Sequence, residues 1–373
     1  YYLVITMGKM RIKVGMISKF PPEKSGTAIT TQYLVNALNK KCKVVRIGFG
    51  NSNCEYKVKF SSNFIEDVRN IVEKENLDVV HLQYTPSSRY LGQENKITII
   101  GYLKSIMVNL ELAKLMSSLG IPTVLTIHDM HPSAKNLKQA ITKWLEKKMT
   151  LSSTAVIVHT MIQKGVIEKY GAKVVCIHHG VISINRKPVK GRGILFFGLI
   201  SPTKGVEYLI EAMKYLPDFS LKIAGEPTDS RYAGKLKSIV STNNLSNVEL
   251  SFGWVSEEDK DKLYRGYNIF ALPYTLTSRY IVSGALHDAI AYSMPVVATD
   301  IGGMGEMVKK FKCGVAVKPF SAEELASGFK EVHKNYRTYL NGVNKYGKDV
   351  SWVKIAEQHL KLYKDLINKG RKV

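Results

Sequence analysis

Residues 268–308, NIFALPYTLTSRYIVSGALHDAIAYSMPVVATDIGGMGEMV, decide the fold. IFALP is short, apolar and stopped by a proline, as a buried parallel strand is. The polar YTLTSRY reads as a loop. Ser283-Gly284 then open a helix whose Ala285, Leu286, Ala289 and Ile290 share one face. Ser293-Met294-Pro295 end that helix, PVVAT is a second buried strand, and Asp300-Ile301-Gly302-Gly303 make the loop after it. Loops at the carboxyl ends of parallel strands face helix amino termini and take phosphorylated ligands in α/β sheets.

The same alternation extends upstream. ILFFG is a strand, LISPTKG a loop, and a helix follows with Val206, Leu209, Ile210 and Met213 inward. Lys204-Gly205 at that helix mouth is a sensible phosphate site, because loop N–H groups and an ammonium converge there. It is not a Walker A loop, since the GxxxxGK[ST] spacing is absent. SLKIAG and residues 247–252 are further strands. Gly253-Trp254-Val255 follows, with Trp254 either a stacking platform or a core filler. Helices are expected over 257–266, 322–332 and 352–367.

The first half repeats the pattern. Strands are expected at 12–17, 43–49, 77–83, 122–127, 154–159 and 173–177, with helices at 64–74 and 106–119. After the first strand, Pro21-Pro22 force an extended loop. Ser25-Gly26-Thr27 lead into a helix with Ile29, Tyr33, Leu34, Ala37 and Leu38 on its inner face. Gly26 either faces a ligand or is a simple strand-to-helix turn. Gln83, Tyr84, His128 and Asp129 stand at successive strand ends. Residues 133–150 form a basic amphipathic helix. Leu137, Ile141, Trp144 and Leu145 make its stripe, and Lys135, Lys138, Lys143, Lys147 and Lys148 surround it. Such a helix lies on an anionic membrane, or it is a surface helix with its stripe in the core.

Composition bounds the classes. At 373 residues, two domains are expected, and 45% hydrophobic content is ordinary for globular protein. No apolar run is long enough to span a bilayer. The start lacks a signal-peptide layout, and residues 1–6 read as an extension ahead of Met7. Cys42, Cys54, Cys176 and Cys313 show no metal spacing and read as isolated reduced thiols. His128/His131 and His178/His179 lack a third ligand nearby, so no metal site is expected. The net charge of +23 favours anionic partners, yet no nucleic-acid-binding motif accompanies it.

The block LPY…SGALHDAIAYSMPVVATDIGGMGEMV resembles the donor-sugar site of glycosyltransferase family 4, a retaining family with the GT-B fold. The family carries two acidic residues eight positions apart here. The second falls on Asp288, one carbon shorter than glutamate, and the first falls on Tyr280. Gly198-Leu199 through Lys204-Gly205 resembles the family's "G-R-hydrophobic-x-x-x-KG" element, with Leu199 in place of the arginine. The resemblance implies that Lys204 and the N–H groups near Ser283-Gly284 hold the donor diphosphate. It implies that Asp288 takes the ribose hydroxyls, Tyr280 faces the donor sugar, and Trp254 lies by the base. It further implies that Gly26 lies in the cleft loop and that His128, at the family's "T-x-H", contacts the acceptor side or the donor sugar. Glu306 is a lesser candidate.

The fold class implied is α/β, with two doubly wound Rossmann-like domains facing across a cleft. Expected boundaries are 1–185 for the acceptor-side domain, 186–193 for a linker, 194–350 for the nucleotide-sugar domain, and 351–373 for a helix crossing back. The function implied is a retaining, metal-independent glycosyltransferase using a UDP- or GDP-sugar and a glycan or lipid-phosphate acceptor. No tightly bound cofactor and no nucleic acid are expected. The location expected is cytoplasmic, peripheral at the inner membrane face through 133–150. The competing readings are a decayed GT-B fold that binds nucleotide or glycan without turnover and, below it, a GT-B epimerase.

Overall fold

The computed structural model describes residues 11–23, 25–84, 99–128, 130, 136–184, 186, 191–275 and 283–370. The chain divides into two units. One takes 1–159, 163–178 and 352–373, and the other takes 160–162 and 179–351.

The first unit is built on a parallel sheet of seven strands. In chain order its elements begin with β1 (Lys13–Ser18), α1 (Gly26–Leu38), β2 (Lys43–Gly48), β3 (Tyr56–Lys57) and α2 (Phe64–Glu75). Then come β4 (Val79–Tyr84), α3 (Ile99–Ser118), β5 (Thr123–Ile127), α4 (Leu137–Leu151), β6 (Ala155–Val158), α5 (Met161–Ile167) and β7 (Val174–Cys176). The strand order is β3-β2-β1-β4-β5-β6-β7. β4 and β5 are buried along their whole length, and their polar residues His81, Gln83, Thr123 and Thr126 are buried with them.

The second unit is a six-stranded sheet. It comprises β8 (Gly193–Phe197), α6 (Val206–Ala212), β9 (Ser220–Gly225), α7 (Ser230–Thr242), β10 (Val248–Phe252) and α8 (Glu257–Gly266). It continues with β11 (Ile269–Leu272), α9 (Gly284–Ala291), β12 (Val296–Thr299), α10 (Gly302–Phe311), β13 (Gly314–Val317), α11 (Ala322–Lys334) and α12 (Tyr336–Asp349). The order is β10-β9-β8-β11-β12-β13, all pairs parallel. The last helix, α13 (Trp352–Gly370), packs on α1 in the first unit, where Tyr33 and Trp352 have ring centroids 6.0 Å apart. IFAL and VVAT are fully buried, each large side chain contributing about 1.5–3 kcal/mol.

Each sheet has a point where its winding reverses, between β1 and β4 and between β8 and β11. Loops leave such neighbours in opposite directions and open a crevice at the carboxyl ends of the strands. The Gly26 loop follows β1, and the Lys204 loop follows β8.

Several expected faces differ. Ile29 and Tyr33 are exposed, and the inner face of α1 is Ala28, Thr31, Leu34, Val35, Ala37 and Leu38. α3 begins seven residues before the expected start. The stripe of α4 is divided: Leu137 is 77% and Trp144 52% exposed and Ile141 half-buried, while Leu145 is buried with Glu146, Met149 and Thr150. Residues 133–135 of that expected helix lie outside the described residues. Gly302-Gly303 begin a helix rather than complete a loop. β3, β13, α5, α7 and α12 had no signal strong enough to be expected.

Candidate active site

At one edge of the second sheet, Gly198, Gly225 and Gly253 end β8, β9 and β10 with φ of +139°, +139° and +135°. Gly198 N–H donates to Ala224 O at 3.1 Å and Gly253 N–H to Gly225 O at 3.0 Å, so the strand ends are laced together. A Cβ on Gly225 would lie 1.9 Å from Gly198 O. Gly225→Ala is therefore expected to destabilise the second unit by about 3 kcal/mol, through a strained φ and a backbone clash. Urea unfolding of the variant checks this; a change under about 0.5 kcal/mol, typical of indifferent surface sites, would count against it.

The Lys204 loop is held from the other side of the winding reversal. Residues Pro202–Lys204 form a 3-10 turn ended by Gly205 at φ +63°. A Cβ on Gly205 would lie 2.1 Å from Pro273 O, so only glycine lets the loop press on the end of β11. Thr275 N–H donates to Thr203 O at 3.0 Å, and Thr275 Oγ1 donates to Pro202 O at 3.0 Å. The Lys204 ammonium lies 3.7 Å from the Tyr274 ring centroid. The Tyr274 hydroxyl shares a 2.8 Å hydrogen bond with Ser283 Oγ. Thr299 Oγ1 donates to Tyr274 O at 2.7 Å, tying in the end of β12. The structure thus brings Lys204 and Ser283 onto one tyrosine.

Ser283 is the N-cap residue of α9, but its side chain turns to Tyr274 and makes no capping bond. Gly284 is exposed, with nothing within 4 Å of the place a Cβ would take. A helix start with its first turn uncapped by a side chain and carrying no acid suits an anion. Asp288 lies on the next turn, 3.1 Å from Lys260 Nζ on α8. Burial pushes its carboxyl above the ordinary value, and Lys260 pulls it back. Trp254, 81% exposed, fills no core. Beside it a hollow of about 350 Å³ is lined by Lys222, Ser251, Val255, Asp259 and Lys262. Leu199 is 54% exposed. Tyr280 lies outside the described residues. Both Glu306 carboxylate oxygens are occupied, accepting from Met161 N–H and Ile162 N–H at 2.8 and 2.9 Å.

In the first unit Gly26 opens α1 under a Ser25 cap, exposed, with open space at its Cβ position. His128 follows β5, and both its ring nitrogens have partners within the unit. Nε2 lies 2.8 Å from Gln83 Oε1, and Nδ1 lies 3.3 Å from His159 Nε2. The chain continues. His159 Nδ1 is 2.9 Å from Ile177 O, Gln83 Nε2 is 3.2 Å from His81 Nε2, and His81 Nδ1 is 2.7 Å from the Tyr363 hydroxyl on α13. Ile177 O can only accept, so His159 carries its proton on Nδ1 and accepts at Nε2 from His128 Nδ1–H. The Gln83 amide bridges His128 Nε2 to His81 Nε2, and His81 Nε2 also meets Thr126 Oγ1 at 2.7 Å. Burial holds His81 and His128 well below the ordinary histidine value, in keeping with neutral rings. A sugar hydroxyl reaches a His128 nitrogen only by replacing Gln83 or His159. Asp129 lies outside the described residues.

Two larger hollows in the first unit, about 680 and 730 Å³, are lined by residues at the amino ends of strands, including Pro122 and Thr154 in one and Ile12 and Lys43 in the other. That is the edge away from ligand-binding loops. Among the described residues no cluster of His, Cys, Asp and Glu could hold a metal ion. Sequence reasoning missed Tyr274 and Lys260. Tyr274 carried a signal, a tyrosine directly after the strand-ending proline. Lys260 sits in the run EEDKDK, which reads as a solvated helix face.

Comparison with known proteins bears on the family and the fold. The family described as Glycosyl transferases group 1 matches residues 182–350, and Glycosyltransferase Family 4 matches residues 25–182. An uncharacterised glycosyltransferase of Methanocaldococcus jannaschii is 27% identical over 307 residues, 80% of this chain and 78% of that protein. The alpha-maltose-1-phosphate synthase of Mycolicibacterium smegmatis is 26% identical, over 66% of this chain and 73% of that protein. Sucrose-phosphate synthase from Thermosynechococcus elongatus superposes with TM-score 0.70 at 18% identity, over 96% of this chain and 100% of that one. HepE of Anabaena in complex with UDP gives TM-score 0.72 at 15% identity, over 95% and 100%.

Proposed function

The chain is a glycosyltransferase of the GT-B fold that resembles family 4, and we propose that it moves a sugar from a UDP- or GDP-sugar to a glycan or lipid-linked acceptor with retention of configuration. The observation that carries this reading is the convergence of Lys204, Tyr274 and the Ser283-Gly284 helix start. When the glycosidic bond breaks, negative charge develops on the leaving diphosphate. A fixed ammonium and a helix amino terminus stabilise that charge without a metal. Asp288 accepts from the ribose hydroxyls, and exposed Trp254 lies by the base. HepE, with UDP and UDP-glucose in its structures, supports a nucleotide-sugar donor at the level of the fold.

Incubation with UDP- and GDP-hexoses and a panel of glycan and lipid-phosphate acceptors, followed by NMR, tests the reading. The expected product keeps the donor's anomeric configuration; an inverted product, or none across the panel, would refute it. Leu199 in the arginine position favours one second reading, a fold that binds nucleotide without turnover.

The acceptor side has its own support. α3 and α4 are neighbours tied near their amino ends, the Tyr102 hydroxyl donating to Lys138 O at 3.2 Å. Ile100, Leu103 and Met107 on α3 and Leu137 and Trp144 on α4 are all more than half exposed. Lys104, Lys138, Lys143, Lys147 and Lys148 lie on the same two helices. Apolar side chains rimmed by lysines match an anionic bilayer surface. Among the described residues no helix is long and apolar enough to cross a membrane, so the contact proposed is peripheral. Co-sedimentation with phosphatidylglycerol vesicles is expected, with at least a roughly tenfold loss of partitioning in Leu103→Glu/Trp144→Glu and a steep loss with salt. Equal partitioning of the variant would contradict it.

A further inference from the structure

We propose that Lys260 is a positioning residue of the donor site, holding the short Asp288 carboxylate in place to receive the ribose hydroxyls. The inference rests on the donor-site reading above and deepens it.

Lys260 lies on the first turn of α8, a helix that starts with Glu257, Glu258 and Asp259. The sequence there looks solvated, but the side chain is largely covered, only 21% exposed. Its ammonium lies 5.9 Å from the ring centroids of both Phe197, at the end of β8, and Tyr264. The rings fix the direction of the stem, and the ammonium reaches Asp288 Oδ2 on α9 at 3.1 Å. One ion pair therefore bridges two helices beside the end of β8. The second oxygen of Asp288 takes no hydrogen bond among the described residues. An aspartate is one carbon shorter than a glutamate and has less reach toward a ligand, so a fixed neighbour that sets its direction has more effect.

The groups facing Asp288 are Lys260 and Glu257 from α8, Tyr264 from the same helix, and Tyr292 just beyond α9. Glu257 and burial both favour a protonated Asp288, and Lys260 alone opposes them. A protonated carboxyl loses half its acceptor capacity toward a cis-diol. The Tyr264 hydroxyl, fully buried and without a hydrogen-bond partner among the described residues, gives Asp288 no hydrogen bond. Ribose contacts are made in the ground state and the transition state alike, so loss of Lys260 raises KM far more than it lowers kcat.

The test uses the full chain with UDP, GDP and ADP as probes, and the donor sugar of whichever nucleotide binds. In Lys260→Met the donor KM is expected to rise at least about tenfold, with a much smaller change in kcat. The pH below which nucleotide binding fails moves upward in this variant, and Lys260→Arg restores both properties. In an Asp288→Asn background Lys260→Met adds nothing, since it acts through that carboxylate. Unchanged KM and pH profile in Lys260→Met, with nucleotide still bound by the wild type, would overturn the inference alone. So would full additivity of the two substitutions. Failure of the wild type to bind any of the three nucleotides would overturn the donor-site reading and this inference with it.

Discussion

Replacing Lys204 with alanine is expected to lower kcat/KM for the donor about 10²- to 10³-fold, the scale lost when one preorganised electrostatic group is removed. The ammonium is not a loose surface charge. Its loop is clamped by two hydrogen bonds from Thr275 and by a glycine that alone tolerates the approach of Pro273 O. The Tyr274 ring, its centroid 3.7 Å from the ammonium, restrains its position. With Leu199 where the family's arginine would stand, no second cation in that element shares the load. The loss should therefore be larger than for one cation of a pair. Lys204→Arg is expected to retain more activity than Lys204→Ala. Steady-state kinetics with the natural donor checks both. A Lys204→Ala enzyme within about threefold of wild type would mean that the diphosphate is held elsewhere, because electrostatic groups of this kind do not act so weakly when removed.

The second large effect is on stability in acid. His81, His128 and His359 of the first unit are buried, and burial holds all three below the ordinary histidine value, His359 at about 4. Well above pH 6.5 these rings are neutral whether the chain is folded or unfolded, and their contribution is complete. As pH falls below 6.5 the unfolded chain takes up protons that the folded chain refuses, so stability is lost. Three such groups give a slope of about 4 kcal/mol per pH unit. Glu146 opposes them. Burial lifts its carboxyl to about 7, so the folded chain holds a proton that the unfolded chain lacks, and stability rises as pH falls from 7 toward the usual carboxylate range. The net expectation is a loss of about 3 kcal/mol per pH unit between pH 6 and 5. Hydrogen exchange of peptides spanning β4 to β6, corrected for intrinsic rates and compared at pH 7.5 and 5.5, reads this in the intact protein. Protection should fall by about 100-fold or more where exchange reports unfolding of this unit. Equal protection at both pH values would show that these rings do not resist protonation.

The alternation of apolar runs and amphipathic segments made both sheets legible, since a strand buried on two faces has a sequence that few other elements share. Lys204, Ser283 and Gly284 were legible as candidates because each sits next to a strand end or helix start marked by glycine or proline, whereas Asp288, inside α9, was a candidate only through the family resemblance. Other features depend on partners distant in sequence. Gln83 reads as the last residue of a strand until β5 and β6 set His128 and His159 beside it. Lys260 reads as solvent-facing until β8 and α9 cover it. The direction of the α4 stripe stayed open between membrane and core for a related reason. Hydrophobic spacing locates a face but does not say whether that face meets the core or the outside. In α1, Ile29 and Tyr33 point out while Thr31 is buried, its hydroxyl 3.1 Å from Ser18 Oγ, a pairing that no periodicity reveals.

The most direct test is calorimetric titration of the unmodified protein with UDP, GDP and ADP in the presence of EDTA. The account predicts that one of these nucleotides binds with Kd below about 1 mM without a metal, a free energy of at least about 4 kcal/mol. Absence of binding by all three, or binding that appears only when a divalent cation is restored, would contradict it.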